Sequence, residues 1–322
     1  MNSESVYKKD LDNCIYSTTC PNLPEPYRGK VRDLYLLNDT TLGIVVTDRI
    51  SAFDHIMREA IPYKGQILNL LSKFQFEAVD DILPTHMIAV PHNNVTIAKR
   101  CKPIPVEVVV RGYLTGHAWR EYKSGKRTLC GAELPAGMQE NQAFPKPILT
   151  PATKAEEGHD EDISPLEIVE SGIVERKLWK TIESKAFELF ERGTQISAKQ
   201  GLILVDTKYE FGLWNDELTL IDEVHTSDSS RYFYNYGYER RLTNNEPQKQ
   251  LSKEFLREWL MEKGFRGLEG QEPPSLPDSF RLSVYNRYKE LYEVLTARKF
   301  KPADTRYFDE ELSGILHQYV EK

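Results

Sequence analysis

With 322 residues the chain can bury more than one core, because single cores stop growing near about 250–300 residues, so two lobes are expected. A formal net charge of −7 gives no global positive field for nucleic acid, and any anionic ligand must be held by local lysines and arginines. Cys14, Cys20, Cys101 and Cys130 are too few and too scattered for a disulfide scaffold or a close-spaced zinc site. The N-terminus lacks the apolar core of a leader, and no run of about 18 apolar residues occurs, so a cytoplasmic protein away from membranes is expected.

The first hundred residues read as short strands and turns. Arg28-Gly29-Lys30-Val31-Arg32-Asp33 precedes the first clear strand; if extended, it puts Lys30 and Arg32 on one face, spaced to hold adjacent phosphates, while Gly29 lets a backbone approach. Leu34–Leu37, an Asn38-Asp39 turn and the β-branched run Leu42–Thr47 form a meander. Thr47-Asp48-Arg49-Ile50-Ser51-Ala52-Phe53-Asp54 then ends a strand in short polar residues, where a site or a self-bonded turn can form. Ile67, Leu70, Leu71, Phe74 and Val79 recur at helical spacing and predict an amphipathic helix over Gly65 to Val79.

Pro103-Ile104-Pro105 is expected to be the hinge between lobes, followed by a buried-type strand, Val106–Arg111. An arginine ending an apolar strand asks for an anion, and Gly112 and Gly116 leave room for one beside Arg111 in Arg111-Gly112-Tyr113-Leu114-Thr115-Gly116-His117. On its own, His117 reads as a structural histidine. Lys154, Glu156, Glu157, His159, Asp160, Glu161 and Asp162 form an acidic loop, mostly solvated surface, whose spacing favours an oxygen-ligated metal over zinc. A helix over Leu178 to Gly193 precedes the strand Leu202–Val205. Two aromatic-striped helices close the chain, one from Ser252 to a Gly264 cap and one over Ser283 to Arg298, with Pro273-Pro274-Ser275-Leu276-Pro277 as a stiff connector between them.

Asp206-Thr207-Lys208-Tyr209-Glu210-Phe211-Gly212 and Asp222-Glu223-Val224-His225-Thr226-Ser227-Asp228-Ser229-Ser230-Arg231 carry the densest chemistry. Strand alternation puts Asp206, Lys208 and Glu210 on one face and Val205, Thr207, Tyr209 and Phe211 on the other, so one side suits a core and the other a metal and phosphate site. In a regular hairpin, Glu210 and Asp222 share a face only if the loop around Trp214-Asn215-Asp216 is odd or bulged; a two-residue turn would separate them. With an odd loop, Lys208 could sit across from Asp222, with Glu210 diagonal to it at roughly 7–8 Å. A kinase-type phosphotransferase would want a similar pattern, but there is no H-R-D-type catalytic loop, Gly-rich lid, G-x-x-x-x-G-K-[ST] or G-x-G-x-x-G. A non-catalytic nucleotide sensor is the third class, favoured only if the carboxylates were substituted.

Taken in order, these motifs closely resemble the SAICAR synthetase family, the phosphoribosylaminoimidazole-succinocarboxamide synthases, from about residue 26 to 300. The resemblance implies an α+β fold, with a small kinase-like antiparallel ATP lobe over 1–104 and a larger lobe over 105–322 that carries the substrate site, the metal hairpin and the C-terminal helices. It implies an ATP- and Mg²⁺-dependent ligase of de novo purine biosynthesis that joins L-aspartate to carboxyaminoimidazole ribonucleotide (CAIR). Carried over by residue, Gly29, Lys30, Arg32 and Glu107 fall on the ATP side, and Glu210 and Asp222 become the metal carboxylates. Lys208 sits beside the transferred phosphate. Arg111, Thr115, Ser229, Ser230 and Arg231 hold the nucleotide substrate; Asp48, Ser51, Lys154, His159 and Asp160 line its aspartate end, with Asp48 or Asp160 as base for the amine. His117 stands where many relatives have a serine, so an imidazole is expected to make that contact.

Overall fold

The computed structural model describes residues 10–154 and 161–320. It forms two compact units: the chain up to Phe74 with His86–Arg100 and everything from Ser252 on, and Gln75–Thr85 with Cys101–Leu251. The architecture is α+β, as expected.

The first unit holds β1 (Tyr27–Arg28), β2 (Arg32–Leu36), β3 (Thr41–Val46), β4 (Ser51–Ala52), β5 (His55–Ile56), β6 (Met87–His92) and β7 (Val95–Lys99). β4 and β5 make a two-stranded ribbon, and the others form an antiparallel sheet in the order β1-β2-β3-β7-β6, confirming the meander. Its apolar face buries Tyr35, Leu37, Val45, Val95 and Ile97 against Phe308, Leu312 and Leu316 of the helix Phe308–His317. Gly43 on β3 permits that approach, since a Cβ there would lie 2.7 Å from the Leu316 side chain.

That packing corrects the expected division of the chain. Residues from Ser252 on belong with the N-terminal sheet, because the sheet's apolar face needs the C-terminal helix to cover it. The proline-rich connector is docked within the same unit, with Glu59 accepting from Ser275 Oγ (2.6 Å) and Leu276 N (2.9 Å). It leads into the helix Asp278–Thr296, where Phe280 stacks on Trp259 with ring centroids 4.4 Å apart. The helix expected over Gly65 to Val79 is Lys64–Val79.

The second unit holds β8 (Lys102–Tyr113), β9 (Thr128–Leu129), β10 (Ala132–Glu133), β11 (Ala143–Leu149), β12 (Ala152–Thr153), β13 (Leu202–Trp214), β14 (Glu217–Ile221) and β15 (Ser230–Tyr234). The main sheet runs β11-β8-β13-β14, with β12 on β8 and β15 on β13. The helix Arg176–Lys199 packs on it through Trp179, Ile182, Leu189 and Phe190. The Pro103-Ile104-Pro105 hinge is a second correction, for these residues lie inside β8. Both prolines are exposed, and Pro105 falls where the β8–β13 register slips between Glu210 and Gly212, so its missing N–H costs no regular ladder bond there.

Candidate functional site

β13 is the central strand of the second unit, and its charged residues gather around one ammonium. Glu210 lies opposite Glu107 of β8. Lys208 Nζ is 2.7 Å from Glu107 Oε1, 2.5 Å from Glu210 Oε1 and 3.8 Å from Asp222 Oδ2. Lys154 Nζ pairs with the other Glu210 oxygen, Oε2. Burial pushes the Glu210 carboxyl up, but the ammonium groups of Lys208 and then Lys154 outweigh it and hold the group well below the usual carboxylate range. Burial pulls Lys208 down, and Glu210, Asp222 and Glu107 overcome that and raise it well above its ordinary value. Lys208 and Glu210 are therefore ionised together at neutral pH.

The hairpin reaches this geometry by a route that alternation does not describe. Trp214 pairs with Glu217, so the connection is the two-residue turn Asn215-Asp216, with φ of 51° and 64°. Such a turn should have placed Asp222 on the face opposite Glu210. However, β14 ends at Ile221, and Asp222 takes a left-handed φ of 66°, leaving the ladder before its side chain is committed to a face. The expected odd loop is absent, yet both carboxylates reach Lys208.

A second cluster lies along the same strand. Asp206, paired with Arg111 in the β8–β13 ladder, accepts on Oδ2 from Arg111 Nη1 (3.0 Å) and from Arg231 Nη1 (2.6 Å). Arg111 Nε also donates to Thr150 Oγ1 at 2.8 Å. The anion that Arg111 asks for is thus supplied from within, and one carboxylate is shared by two guanidinium groups. Gly116, with φ of 56°, lies against Arg231: a Cβ there would be 2.5 Å from Nη2. Thr115 precedes the helix Gly116–Lys123 as its N-cap without a capping side-chain bond, and His117 Nε2 lies 2.8 Å from Asp162 Oδ2. Ser230 Oγ donates to Thr207 Oγ1 (2.8 Å), and Ser229 Oγ accepts from Thr226 N (3.1 Å).

In the first unit, Gly29-Lys30-Val31 is the loop between β1 and β2, closed by Gly29 N donating to Arg32 O at 2.8 Å. Lys30 is paired with Asp54, both side chains about half exposed, and Arg32 opens β2. Ser51 Oγ lies 3.5 Å from Lys253 Nζ. Asp48 is a correction. It is 2 % exposed, and its two oxygens accept from Ile15 N and Gly65 N, each at 2.9 Å, so it anchors backbone and cannot take a proton from a substrate amine without giving up those bonds. His159 and Asp160 lie outside the described residues.

Sequence reasoning missed the sharing of Asp206 by Arg111 and Arg231, although alternation put Asp206 on the Lys208 face. It also missed Thr150 and the Asp162 partner of His117, which only tertiary pairing brings there. Among the described residues no three or more His, Cys, Asp or Glu are arranged to enclose a metal. Glu210 and Asp222 offer carboxylate oxygens alone, a donor set for a hard divalent cation that brings its other ligands with it.

The SAICAR synthetase family profile matches residues 25–271. Phosphoribosylaminoimidazole-succinocarboxamide synthase of Bacteroides thetaiotaomicron is 51 % identical over 94 % of this chain and 96 % of its own length. The Flavobacterium psychrophilum enzyme of that name is 50 % identical over the same shares. A SAICAR synthase from Saccharomyces cerevisiae, solved in complex with SAICAR, is 35 % identical with a TM-score of 0.76, covering 89 % of this chain and all of that one. A SAICAR synthetase solved with ADP is 26 % identical with a TM-score of 0.67, covering 86 % of this chain and all of that one. Motifs, near full-length identity and fold all agree: the chain belongs to the SAICAR synthetase family.

Proposed function

We propose that this chain performs the ATP-dependent ligation of its family, joining L-aspartate to the carboxylate of CAIR to give SAICAR, ADP and phosphate in de novo purine biosynthesis. The named relatives and the SAICAR and ADP bound to solved ones support this reading. The observation that carries it is the Lys208 ammonium, held among Glu107, Glu210 and Asp222 and raised well above its ordinary pKa.

A carboxylate resists attack by an amine, so it must first be activated. An oxygen of the CAIR carboxylate attacks the γ-phosphorus of ATP, ADP departs, and an acyl phosphate forms. The aspartate amine then attacks the acyl carbon, inorganic phosphate leaves, and the nitrogen loses a proton. In this scheme Lys208, always protonated, lies beside the transferred phosphoryl group and neutralises its oxygens. Lys154, its partner on Glu210, lines the same end. Glu210 and Asp222 would hold Mg²⁺ through their carboxylate oxygens. When bound, the ion supplies charge neutralisation of the phosphates. Glu107 fixes Lys208 from the neighbouring strand.

Arg111 and Arg231, which together carry one positive charge in excess of Asp206, bind the anionic groups of CAIR with Thr115, His117, Ser229 and Ser230. Gly29, Lys30 and Arg32 contact the phosphates of ATP. The exposed Lys30–Asp54 pair is weak and releases Lys30 at little cost. Ser51 lines the aspartate end, and by the family resemblance His159 and Asp160 serve the same substrate, with Asp160 as base for the amine.

The test is ADP release from ATP and CAIR with and without L-aspartate. A ligase requires aspartate, a kinase does not, and a sensor releases no ADP. Glu210→Gln should abolish Mg²⁺-dependent turnover while leaving the fold intact; near-normal activity would remove the carboxylate assignment.

A further inference from the structure

We propose that Arg49 is a positioning residue for the nucleotide: its guanidinium holds the loop that presents Lys30 and Arg32. The proposal rests on the reading of those two side chains as ATP-phosphate contacts. Between β1 and β2 the chain must bring four carbonyls, Gly29 to Arg32, through a tight reversal. Val31 O accepts from Thr47 N (3.0 Å) and Thr47 Oγ1 (2.8 Å). The other three converge on Arg49, with Nε 3.1 Å from Lys30 O and Nη2 2.9 Å from Gly29 O and 3.2 Å from Arg32 O. Every carbonyl of the reversal is thereby satisfied, and two of the four, Gly29 O and Lys30 O, have Arg49 as their hydrogen-bond partner.

Arg49 is itself anchored. Nη2 donates at 2.8 Å to Oδ1 of Asp33, a carboxylate with a fully buried side chain, and Nη1 donates to Tyr16 O. Its side chain is 11 % exposed, and its donors are committed to backbone carbonyls and to Asp33, so it is not one more phosphate ligand. Converging carbonyls need several N–H groups in one plane, which guanidinium has and ammonium lacks. A loop shaped in advance leaves less ordering cost to be met when ATP binds.

The test uses the full-length protein. ATP affinity is measured by calorimetry with Mg²⁺ present for Arg49→Lys, Arg49→Gln, Lys30→Ala and Arg32→Ala, with KM for aspartate and amide exchange at Gly29. Arg49→Lys should weaken ATP binding about tenfold, the scale of a lost hydrogen bond or two, and speed exchange at Gly29. KM for aspartate should stay within about twofold, because the loop does not serve that substrate. If Lys30→Ala and Arg32→Ala weaken ATP binding but the Arg49 variants do not, the positioning role is wrong and the phosphate reading stands. If Lys30→Ala and Arg32→Ala leave ATP affinity intact, the phosphate reading falls and this proposal falls with it. Failure of both Arg49 variants to fold would also overturn it, because Arg49 would then serve the stability of the unit rather than the loop.

Discussion

Asp206→Asn isolates one electrostatic question. Asp206 Oδ2 accepts from both Arg111 and Arg231, and the three side chains are 4 %, 8 % and 14 % exposed. Asparagine keeps the shape and can present an oxygen to the same donors, so hydrogen bonds survive while the negative charge goes. At an effective dielectric near 20, two unit charges about 4 Å apart interact by about 4 kcal/mol, so two guanidinium partners contribute about 8 kcal/mol of attraction. Relief from burying the carboxylate returns several kcal/mol, leaving a net loss of about 3–5 kcal/mol, the range measured when one member of a buried pair is removed. Urea unfolding followed by tryptophan fluorescence is the assay, since three of the four tryptophans, Trp119, Trp179 and Trp214, lie in the second unit. The midpoint should fall at unchanged slope. A loss under about 1 kcal/mol would refute the view that the two arginines depend on this carboxylate.

Burial pushes Asp48 up to about 6, against backbone N–H groups of Ile15 and Gly65 that pull it down. Because the folded carboxyl holds its proton more tightly than the unfolded one, its contribution to stability is fully present below about pH 4 and is lost as pH rises through about 6. That loss is about 3 kcal/mol, so the stability margin of the native chain over Asp48→Asn should shrink by that order between pH 4 and 7. A flat or rising margin in urea unfolding would contradict it. Gly193→Ala would place a Cβ 2.4 Å from the ring of His225, itself hydrogen-bonded to Tyr209 Oη at 2.7 Å. The overpacking should cost about 1–3 kcal/mol and outweigh the gain in helix propensity; a more stable variant by calorimetry would show that the ring can move. Gly116→Ala combines a φ of 56° with a clash against Arg231, so KM for CAIR should rise while the ATP Kd stays unchanged. Equal losses for both ligands would mean that the substitution disturbs more than Arg231.

Several elements of the site were legible from strand alternation and residue chemistry alone. Lys208 and Glu210 share a face two residues apart, and Arg111 at the end of an apolar strand does meet a carboxylate. Other features depend on backbone conformations that no short pattern specifies. Asp222 reaches Lys208 because one non-glycine residue turns left-handed just past β14. Asp48 stands in a polar motif that suits catalysis, yet its oxygens hold Ile15 N and Gly65 N, partners 33 and 17 residues away in sequence.

By itself, the sequence determined the meander, the long helix that follows it, the carriers of charge and the family. Alternation and helical period are local and written in side-chain order. Only the tertiary structure decided which charge meets which, that the C-terminal helix completes the N-terminal core, and that Arg49 reaches back to the loop at Gly29. Those contacts join distant segments, where burial and unsatisfied backbone groups select the partner.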